Sequence, residues 1–159
     1  MTKHSLTETS TLLRKALRLR WPTANFGTRL GRGTSSWLTV RWTDGPTEDA
    51  VQAMCTRWLN DTGTHYISGT LHDRRCSPAA EALVIAAIEC AVPGLSVPRT
   101  EEGGLDTRAA HRIIRTGGVR INGRFHGHAD HTYSLVSLMQ LITRTVDFDD
   151  PEAVLGASR

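Results

Sequence analysis

The sequence predicts an α+β fold, in which helices pack on a small, mainly antiparallel sheet and the chain begins with an α-β-β-α unit. Three observations support this prediction. A basic segment with helical apolar spacing ends at Trp21-Pro22, two short segments of alternating polarity follow, and Asp44-Gly45-Pro46 then precedes a second helical segment. Apolar spacing near 3.6 residues indicates a helix and strict alternation indicates a strand, and the order of the elements defines the fold class.

The first helix is expected to run from a cap at Ser10 or Thr11 to about Arg20, behind a frayed polar lead over residues 1–9. Pro22 ends this helix, because the residue before a proline is disfavoured in helical geometry. The apolar face of the helix is formed by Leu12, Leu13, Ala16 and Leu17.

Two strands are expected next, over Asn25–Leu30 and Ser36–Trp42, joined by a turn at Gly31-Arg32-Gly33. In the second strand one face carries Leu38, Val40 and Trp42, and the other carries Trp37, Thr39 and Arg41. Since successive side chains of a strand point to opposite sides, only one of these sets can face a core.

A second helix is expected after Thr47, whose side chain can cap it. Its core-facing residues are Val51, Met54, Cys55 and Trp58. A loop over Asn60–Thr64 and a third strand over His65–Leu71 complete this part of the prediction.

The second half of the chain is expected to add helices and a hairpin. Ser77-Pro78 opens a helix over Ala79–Val92, and Asn122-Gly123 is the strongest short hairpin signal. Helices are also predicted over Thr107–Arg115 and Ser134–Thr143. We expect residues 1–94 to form one module, and residues 95–159 to be a helix-hairpin-helix extension packed on the same core.

Composition indicates a globular protein of 159 residues, 39% hydrophobic and 22% charged. No apolar run approaches the roughly 20 residues that cross a bilayer, and the N-terminus has no apolar signal region, so we expect a cytoplasmic protein without a membrane partner. The three cysteines form no CxxC pair, which favours reduced thiols. Nothing in the sequence indicates the oligomeric state.

Positive charge is concentrated near the N-terminus. Residues 1–45 hold eight Lys or Arg against two acidic residues, a balance that favours a phosphate-bearing or acidic partner. The candidate nucleic-acid-binding residues are Arg14, Lys15, Arg18, Arg29, Arg32, Arg41 and Trp37. Trp37 is placed among them because an aromatic ring can stack on a base. The alternative, more usual for aromatic residues in strands, is that Trp37 packs under a helix, and basic helix faces are more often simply solvated.

A second constellation is the string His126-Gly-His128-Ala-Asp130-His131, which resembles the metal-binding segment of metallo-β-lactamase-fold hydrolases. Imidazoles and a carboxylate at this spacing can converge on zinc. The 28 residues after His131 contain no further histidine, although that fold requires more ligands downstream. The alternative is a polar loop that matches the motif by chance.

The sequence contains no phosphate-binding loop and no nucleophile elbow, so no catalytic residue is assigned. Residues about 10–60 resemble the large polyvalent protein-associated domain family 29. The resemblance is carried by Leu13-Arg-Lys-Ala-Leu17, Trp21-Pro22, Leu38-Thr-Val-Arg-Trp42 and Thr43-Asp-Gly-Pro-Thr47. It implies a small α+β module from phages or from conjugative elements such as plasmids, in an accessory role without catalytic residues.

We therefore expect a non-enzymatic accessory module of a phage or conjugative mobile element. Its partner is expected to be nucleic acid or a host protein, one that acts in defence or associates with nucleic acid, and no cofactor is expected. Two alternatives stay open. One is a zinc-dependent hydrolase or zinc-stabilised module built on the HxHxDH string, and the other is a protein–protein adaptor.

Overall fold

The computed structural model describes residues 5–31, 36–64 and 67–156, and describes the backbone alone for residues 114–116. The chain divides into two compact units, Met1–Arg75 and Cys76–Arg159. This division lies before the long helix that opens the second unit, whereas the boundary predicted from the sequence follows that helix. Each unit contains its own cluster of buried apolar side chains.

The described residues of the N-terminal unit form two helices and three strands. In chain order these are α1 Leu6–Arg20, β1 Gly27–Leu30, β2 Trp37–Thr43, α2 Glu48–Thr62 and β3 Gly69–Arg75. The α+β class and the opening α-β-β-α order are thereby confirmed. The expected turn at residues 31–33 lies largely outside the described residues.

Helix α1 begins earlier than the sequence predicts. Ser5 is the N-cap: its side chain accepts a hydrogen bond from the backbone N–H of Glu8, and the Glu8 carboxylate accepts one from the backbone N–H of Ser5. This reciprocal capping box satisfies two N–H groups that a helix leaves unpaired at its start. The prediction of a cap at Ser10 or Thr11 was therefore wrong, and Ser10 instead donates its hydroxyl to Thr28 on β1.

The N-terminal sheet has the strand order β1-β2-β3 and is mixed. β1 pairs with β2 in antiparallel fashion, with Thr28 opposite Val40. β3 pairs with β2 in parallel, with Trp37 opposite Gly69 and Thr43 opposite Arg75. A parallel pair needs a crossover connection, and α2 supplies it. The third strand runs from residue 69 to 75, whereas the sequence predicted 65 to 71. Residues 65 and 66 of that prediction lie outside the described residues.

A tight turn after β2 holds β3 at its C-terminal end. Asp44 and Gly45 adopt φ angles of 55° and 59°, in the left-handed region. Arg74 donates from Nη2 to the carbonyl oxygen of Gly45 at 2.7 Å, and the indole N–H of Trp42 donates to the carbonyl oxygen of Pro46 at 3.0 Å. These bonds satisfy carbonyl groups that the turn would otherwise leave without partners.

The core of the N-terminal unit lies between the two helices and one face of the sheet. Its largest fully buried side chains are Leu13, Leu17, Phe26, Leu38, Val40 and Val51. Cys55 and Trp42 belong to the same cluster. Both helices therefore cover the side of the sheet that carries the buried residues of β2.

The C-terminal unit is built from short elements around two longer helices. They are α3 Pro78–Ala91, α4 Thr107–Ala110, β4 Ile114–Thr116, β5 Val119–Ile121, β6 Arg124–His126, β7 Thr132–Ser134, α5 Leu135–Thr145 and α6 Glu152–Leu155. Helix α4 ends well before the predicted Arg115, and neither the β4–β7 pair nor α6 was predicted from the sequence.

Two local predictions in this unit are confirmed. Ser77 caps α3 with Pro78 in its first turn. Asn122 and Gly123 adopt φ angles of 47° and 76° between β5 and β6, as a two-residue hairpin turn requires. The core of this unit includes Val84, Ile85, Ile88, Leu135, Leu138 and Ile142, so α3 contributes to the second cluster.

Candidate nucleic-acid interface

The three-stranded sheet has one covered face and one open face. Along β2, the buried residues Leu38, Val40 and Trp42 alternate with residues that remain accessible to solvent. Paired residues on neighbouring strands project to the same side of a sheet. The registers with β1 and β3 therefore assign every residue of the three strands to one face or the other.

We call the uncovered side the outer sheet face. Its side chains are Arg29, Trp37, Thr39, Arg41, Thr43, Leu71, Asp73 and Arg75. Gly27 and Gly69 lie on the same side without a side chain. Of the residues predicted from the sequence to bind nucleic acid, Arg29, Trp37 and Arg41 are brought together here.

Charge on the outer sheet face is predominantly positive. Arg41 Nε lies 2.8 Å from Asp73 Oδ2, and Arg75 Nη2 lies 3.8 Å from the same oxygen. The side chains of these two arginines are 51% and 70% exposed, and Arg29 is exposed as well. Three guanidinium groups and one carboxylate therefore share this face, which leaves a net charge of two positive units.

Trp37 does not pack under a helix. It is 43% exposed on the outer sheet face, on the side opposite the helices. A Cβ built on Gly69 would lie only 2.7 Å from ring carbon Cζ3 of Trp37, so the indole lies against the backbone of β3. The alternative interpretation, in which Trp37 packs under a helix, was therefore wrong. The reason is non-local: a glycine on the neighbouring strand makes room for the ring on the open side.

The basic residues of α1 lie on the other side of the sheet. Lys15 and Arg18 are exposed and Arg14 is half-buried on a helix that covers the inner face. Arg18 donates from Nη2 to Asn25 Oδ1 at 3.0 Å and to the carbonyl oxygen of Phe26 at 3.2 Å. These three residues therefore do not share a surface with Trp37. Arg32 lies outside the described residues.

Three residues of the outer sheet face were missed by sequence reasoning. Leu71 is 53% exposed, and Asp73 and Arg75 form the ion pairs described above. The segment around them does not alternate between apolar and polar residues, because Leu71 lies on the open side and His72 on the covered side. The only local signal was the pair of arginines directly before Cys76.

Two titratable side chains belong to the covered side of the same sheet. Burial raises the pKa of the Cys55 thiol to about 11, although a hydrogen bond with Thr70 opposes the shift. Burial also lowers the pKa of His72, partly offset by the negative charge of Glu48. The His72 ring meets the Trp42 ring edge-on at 6.3 Å between centroids. Both shifts favour the neutral form of the group, as removal from water does.

The HxHxDH string is divided between the interior and the surface. His126 is 3% exposed, and its Nε2 is buried without a hydrogen-bond partner among the described residues. Burial, and secondarily the charge of Arg124, lowers the pKa of His126. His128, Asp130 and His131 are more accessible to solvent, and the rings of the two histidines among them lie 5.1 Å apart between centroids.

A zinc ion needs ligands that converge, in most structural sites four at tetrahedral positions. Within residues 5–31, 36–64 and 67–156, no group of three or more His, Cys, Asp or Glu residues could hold a metal ion. The string thus provides no ligand set for zinc in this conformation.

The C-terminal unit also contains a cavity of about 470 Å³. It lies between α3, the turn at Asn122 and helix α6, with Ala87 and Cys90 on one wall and Arg120 and Leu155 on others. Cys90 is exposed. No sequence signal indicated this cavity, because one of its walls is α6, which was not predicted.

Two helices on one side of a small sheet, with a positively charged and partly apolar face on the other, define a compact α+β module. The comparison with known families agrees with this class. Residues 4–82 match the family described as large polyvalent protein associated domain 29, and this part of the chain belongs to that family. The match spans all three strands and both helices of the N-terminal unit, which is more than the 10–60 segment expected.

Membership in this family indicates a module associated with mobile genetic elements. No curated protein and no solved structure matches the chain. Among the helices of the described ranges, none has the length and apolar character needed to cross a membrane.

Proposed function

We propose that the N-terminal unit binds nucleic acid through its outer sheet face, as a non-enzymatic accessory module of a phage or conjugative element. One observation carries the proposal: Arg29, Arg41 and Arg75 lie on the same face of the sheet as the exposed indole of Trp37, and neither helix covers that face. Guanidinium groups bind phosphate oxygens in bidentate fashion, and aromatic rings stack on bases.

The ion pairs on this face favour exchange with a phosphate. Arg41, Asp73 and Arg75 are each more than a third exposed, and exposed ion pairs of this kind contribute only about 0–1 kcal/mol. A phosphate can therefore compete for the two arginines at small cost. In the absence of a phosphate, the ion pairs with Asp73 limit the orientations of the Arg41 and Arg75 side chains and hold them against the sheet.

The test is a charge-reversal pair. The variant Arg29→Glu reverses one cation on the outer sheet face, and Arg57→Glu makes the same change on α2, where Arg57 is exposed and lies 3.6 Å from Asp61. Binding to labelled oligonucleotides is measured by fluorescence anisotropy over a series of salt concentrations. The sheet variant should bind more weakly, and its slope of log K against log salt should flatten by about one unit for each phosphate that the variant no longer binds.

The helix variant Arg57→Glu should retain the affinity and the slope of the parent protein. Equal losses in the two variants would mean that net charge acts without a defined surface. Unchanged binding in the sheet variant would remove the outer sheet face from the proposal.

A protein partner is the second candidate, and the exposed apolar surface of Leu71 beside Trp37 is the observation that favours it. Exposed apolar groups of this kind mark protein interfaces as well as nucleotide sites. Binding of a host protein to this face should be insensitive to salt and sensitive to Leu71→Ser. Nucleic-acid binding should instead be sensitive to salt and insensitive to Leu71→Ser.

A further inference from the structure

The indole of Trp37 lies over Gly69 and forms a flat surface at one end of the sheet, which we call the indole shelf. A Cβ on Gly69 would lie 2.7 Å from ring carbon Cζ3, 3.1 Å from Cη2 and 3.3 Å from Cε3. An approach in the plane of the ring would leave the two neighbouring carbons much farther away than Cζ3. The similar distances therefore place Gly69 under the face of the six-membered ring, so the indole lies against the sheet and does not stand upright on it.

An indole in this position offers a stacking surface. One side of the ring is occupied by the backbone of Gly69, and the residue nevertheless remains 43% exposed. Any side chain at position 69 would occupy the space in which the ring now lies. Glycine on β3 is thus the feature that orients the aromatic group on β2.

The cations lie within reach of a nucleotide on that shelf. Residues two positions apart on a strand share a face at about 6.7 Å, and neighbouring strands are about 4.8 Å apart. Arg29 pairs with Thr39, one such step from Trp37, and Arg41 lies two steps away. A strand that stacks one base on the indole can therefore place its flanking phosphates on the arginines.

These features favour an unpaired strand over a duplex. In a duplex the faces of the bases are already stacked on one another, so a ring that lies flat on a sheet cannot reach them. The major groove is about 12 Å wide and admits a helix or a two-stranded ribbon. Three strands already span about 10 Å between backbones, before side chains are added, which is too broad to enter the groove.

We infer that the outer sheet face binds single-stranded nucleic acid, with one base stacked on Trp37 and the flanking phosphates held by Arg29 and Arg41. This inference rests on the nucleic-acid binding proposed above and specifies its substrate class. Single-stranded binding by stacking tolerates most sequences, because every base has an aromatic face. We therefore expect the outer sheet face to bind single strands with little selection for base sequence.

The experiment uses the whole chain with a labelled oligothymidylate and a duplex of equal length, both followed by fluorescence anisotropy. The single strand should bind at least about tenfold more tightly. Trp37→Ala should weaken single-strand binding by about 5-fold to about 140-fold, the range that corresponds to the stacking of one base. Its salt slope should stay unchanged, because the substitution removes no group that binds phosphate.

Three further variants sharpen the result. Trp37→Phe should retain most of the affinity, and Gly69→Ala should weaken binding because its new methyl group displaces the indole. Leu19→Ala is the matched control, since Leu19 is an apolar residue 86% exposed on α1, away from the sheet face. It should leave binding unchanged.

A crosslinking measurement avoids dependence on the folding of any variant. An oligonucleotide that carries 5-bromouracil is irradiated with the unaltered protein, and mass spectrometry locates the attachment. Attachment at Trp37 supports the inference, and attachment confined to other residues overturns it.

The outcomes separate single-strand stacking from nucleic-acid binding in general. Equal affinity for single strand and duplex, with binding unaltered by Trp37→Ala, would overturn the stacking inference and leave nucleic-acid binding in place. Failure to bind either oligonucleotide at low salt would overturn both, and would direct attention to a protein partner at the same face.

Discussion

Replacement of Asp73 by asparagine should tighten nucleic-acid binding. Asp73 is the one carboxylate on the outer sheet face as described, 2.8 Å from Arg41 and 3.8 Å from Arg75. Its negative charge repels any phosphate that binds these arginines. Removal of that charge raises the net charge of the face from two to three positive units, while asparagine keeps the size of the side chain.

The size of the effect follows from the geometry of the ion pair. Two anions on opposite sides of one guanidinium lie about 7 Å apart, and unit charges at that separation repel by about 0.6 kcal/mol in water. This corresponds to about a 2.7-fold gain in affinity for one phosphate at low salt. At about 0.15 M salt the screening length is about 8 Å, which reduces the gain to about 1.5-fold.

The assay is an anisotropy titration of Asp73→Asn and the parent protein at about 0.02 M and about 0.15 M salt, where screening differs most. Asp61→Asn is the control, because Asp61 also pairs with an arginine, at 3.6 Å, but lies on α2. An equal gain in the control would mean that only total charge matters. Weaker binding by Asp73→Asn would refute the reasoning, since Asp73 would then be needed to orient the arginines more than it repels phosphate.

Three further predictions concern stability and reactivity. At neutral pH an alkylating reagent should label the exposed Cys90 and spare the buried Cys55, whose pKa is raised to about 11; peptide mass spectrometry checks this. The free energy of unfolding of the N-terminal unit should fall as the pH drops below about 6.5, because the unfolded chain then protonates His72 while the folded unit, with its lowered pKa, resists; urea titrations at about pH 7.5 and about pH 5.5 measure this difference. Gly118→Ala should destabilise the C-terminal unit by at least about 1–3 kcal/mol, since its Cβ would fall well inside contact distance of the carbonyl oxygen of His126; chemical unfolding measures the loss.

Each of these has its own control. Denatured protein should show Cys55 labelled as fast as Cys90. His72→Leu should reduce the dependence of stability on pH in the N-terminal unit. Gly27→Ala should be close to neutral, because nothing lies within 4 Å of its added Cβ, and a large loss there would mean that glycine replacement is harmful for reasons other than steric overlap.

Local signals in the sequence predicted the element boundaries best. Thr47 caps α2 and Ser77 caps α3, each by accepting a backbone N–H from three residues on. The Asn122-Gly123 turn fixes the β5–β6 hairpin. A cap or a two-residue turn depends only on neighbouring residues, so its chemistry is visible without the fold. The capping box at Ser5 and Glu8 was equally local and was overlooked.

The pairing of β3 was beyond such signals. Its residues do not alternate in polarity, and its partner β2 lies on the far side of a 15-residue helix in the sequence. The predicted strand at 65–71 therefore ended before the residues of the observed strand that contribute Asp73 and Arg75. Four of the eight side chains on the outer sheet face follow from alternation in β2. Three others, Leu71, Asp73 and Arg75, depend on a parallel register that no local pattern specifies.

The exposure of Trp37 depends on the helices as well as on alternation within its strand. Alternation places it opposite Leu38, Val40 and Trp42, but alternation alone cannot say which side a helix covers. Buried Leu13 and Leu17 settle that point, because they pack with the other set. The indole of Trp37 and the side chain of Leu71 are then left on an open face. Exposed apolar surface of this kind is unfavourable in water, because it is not stabilised by burial in the core. Gly69 limits that cost by covering one side of the ring, and the exposed remainder is the surface that a base would cover on binding.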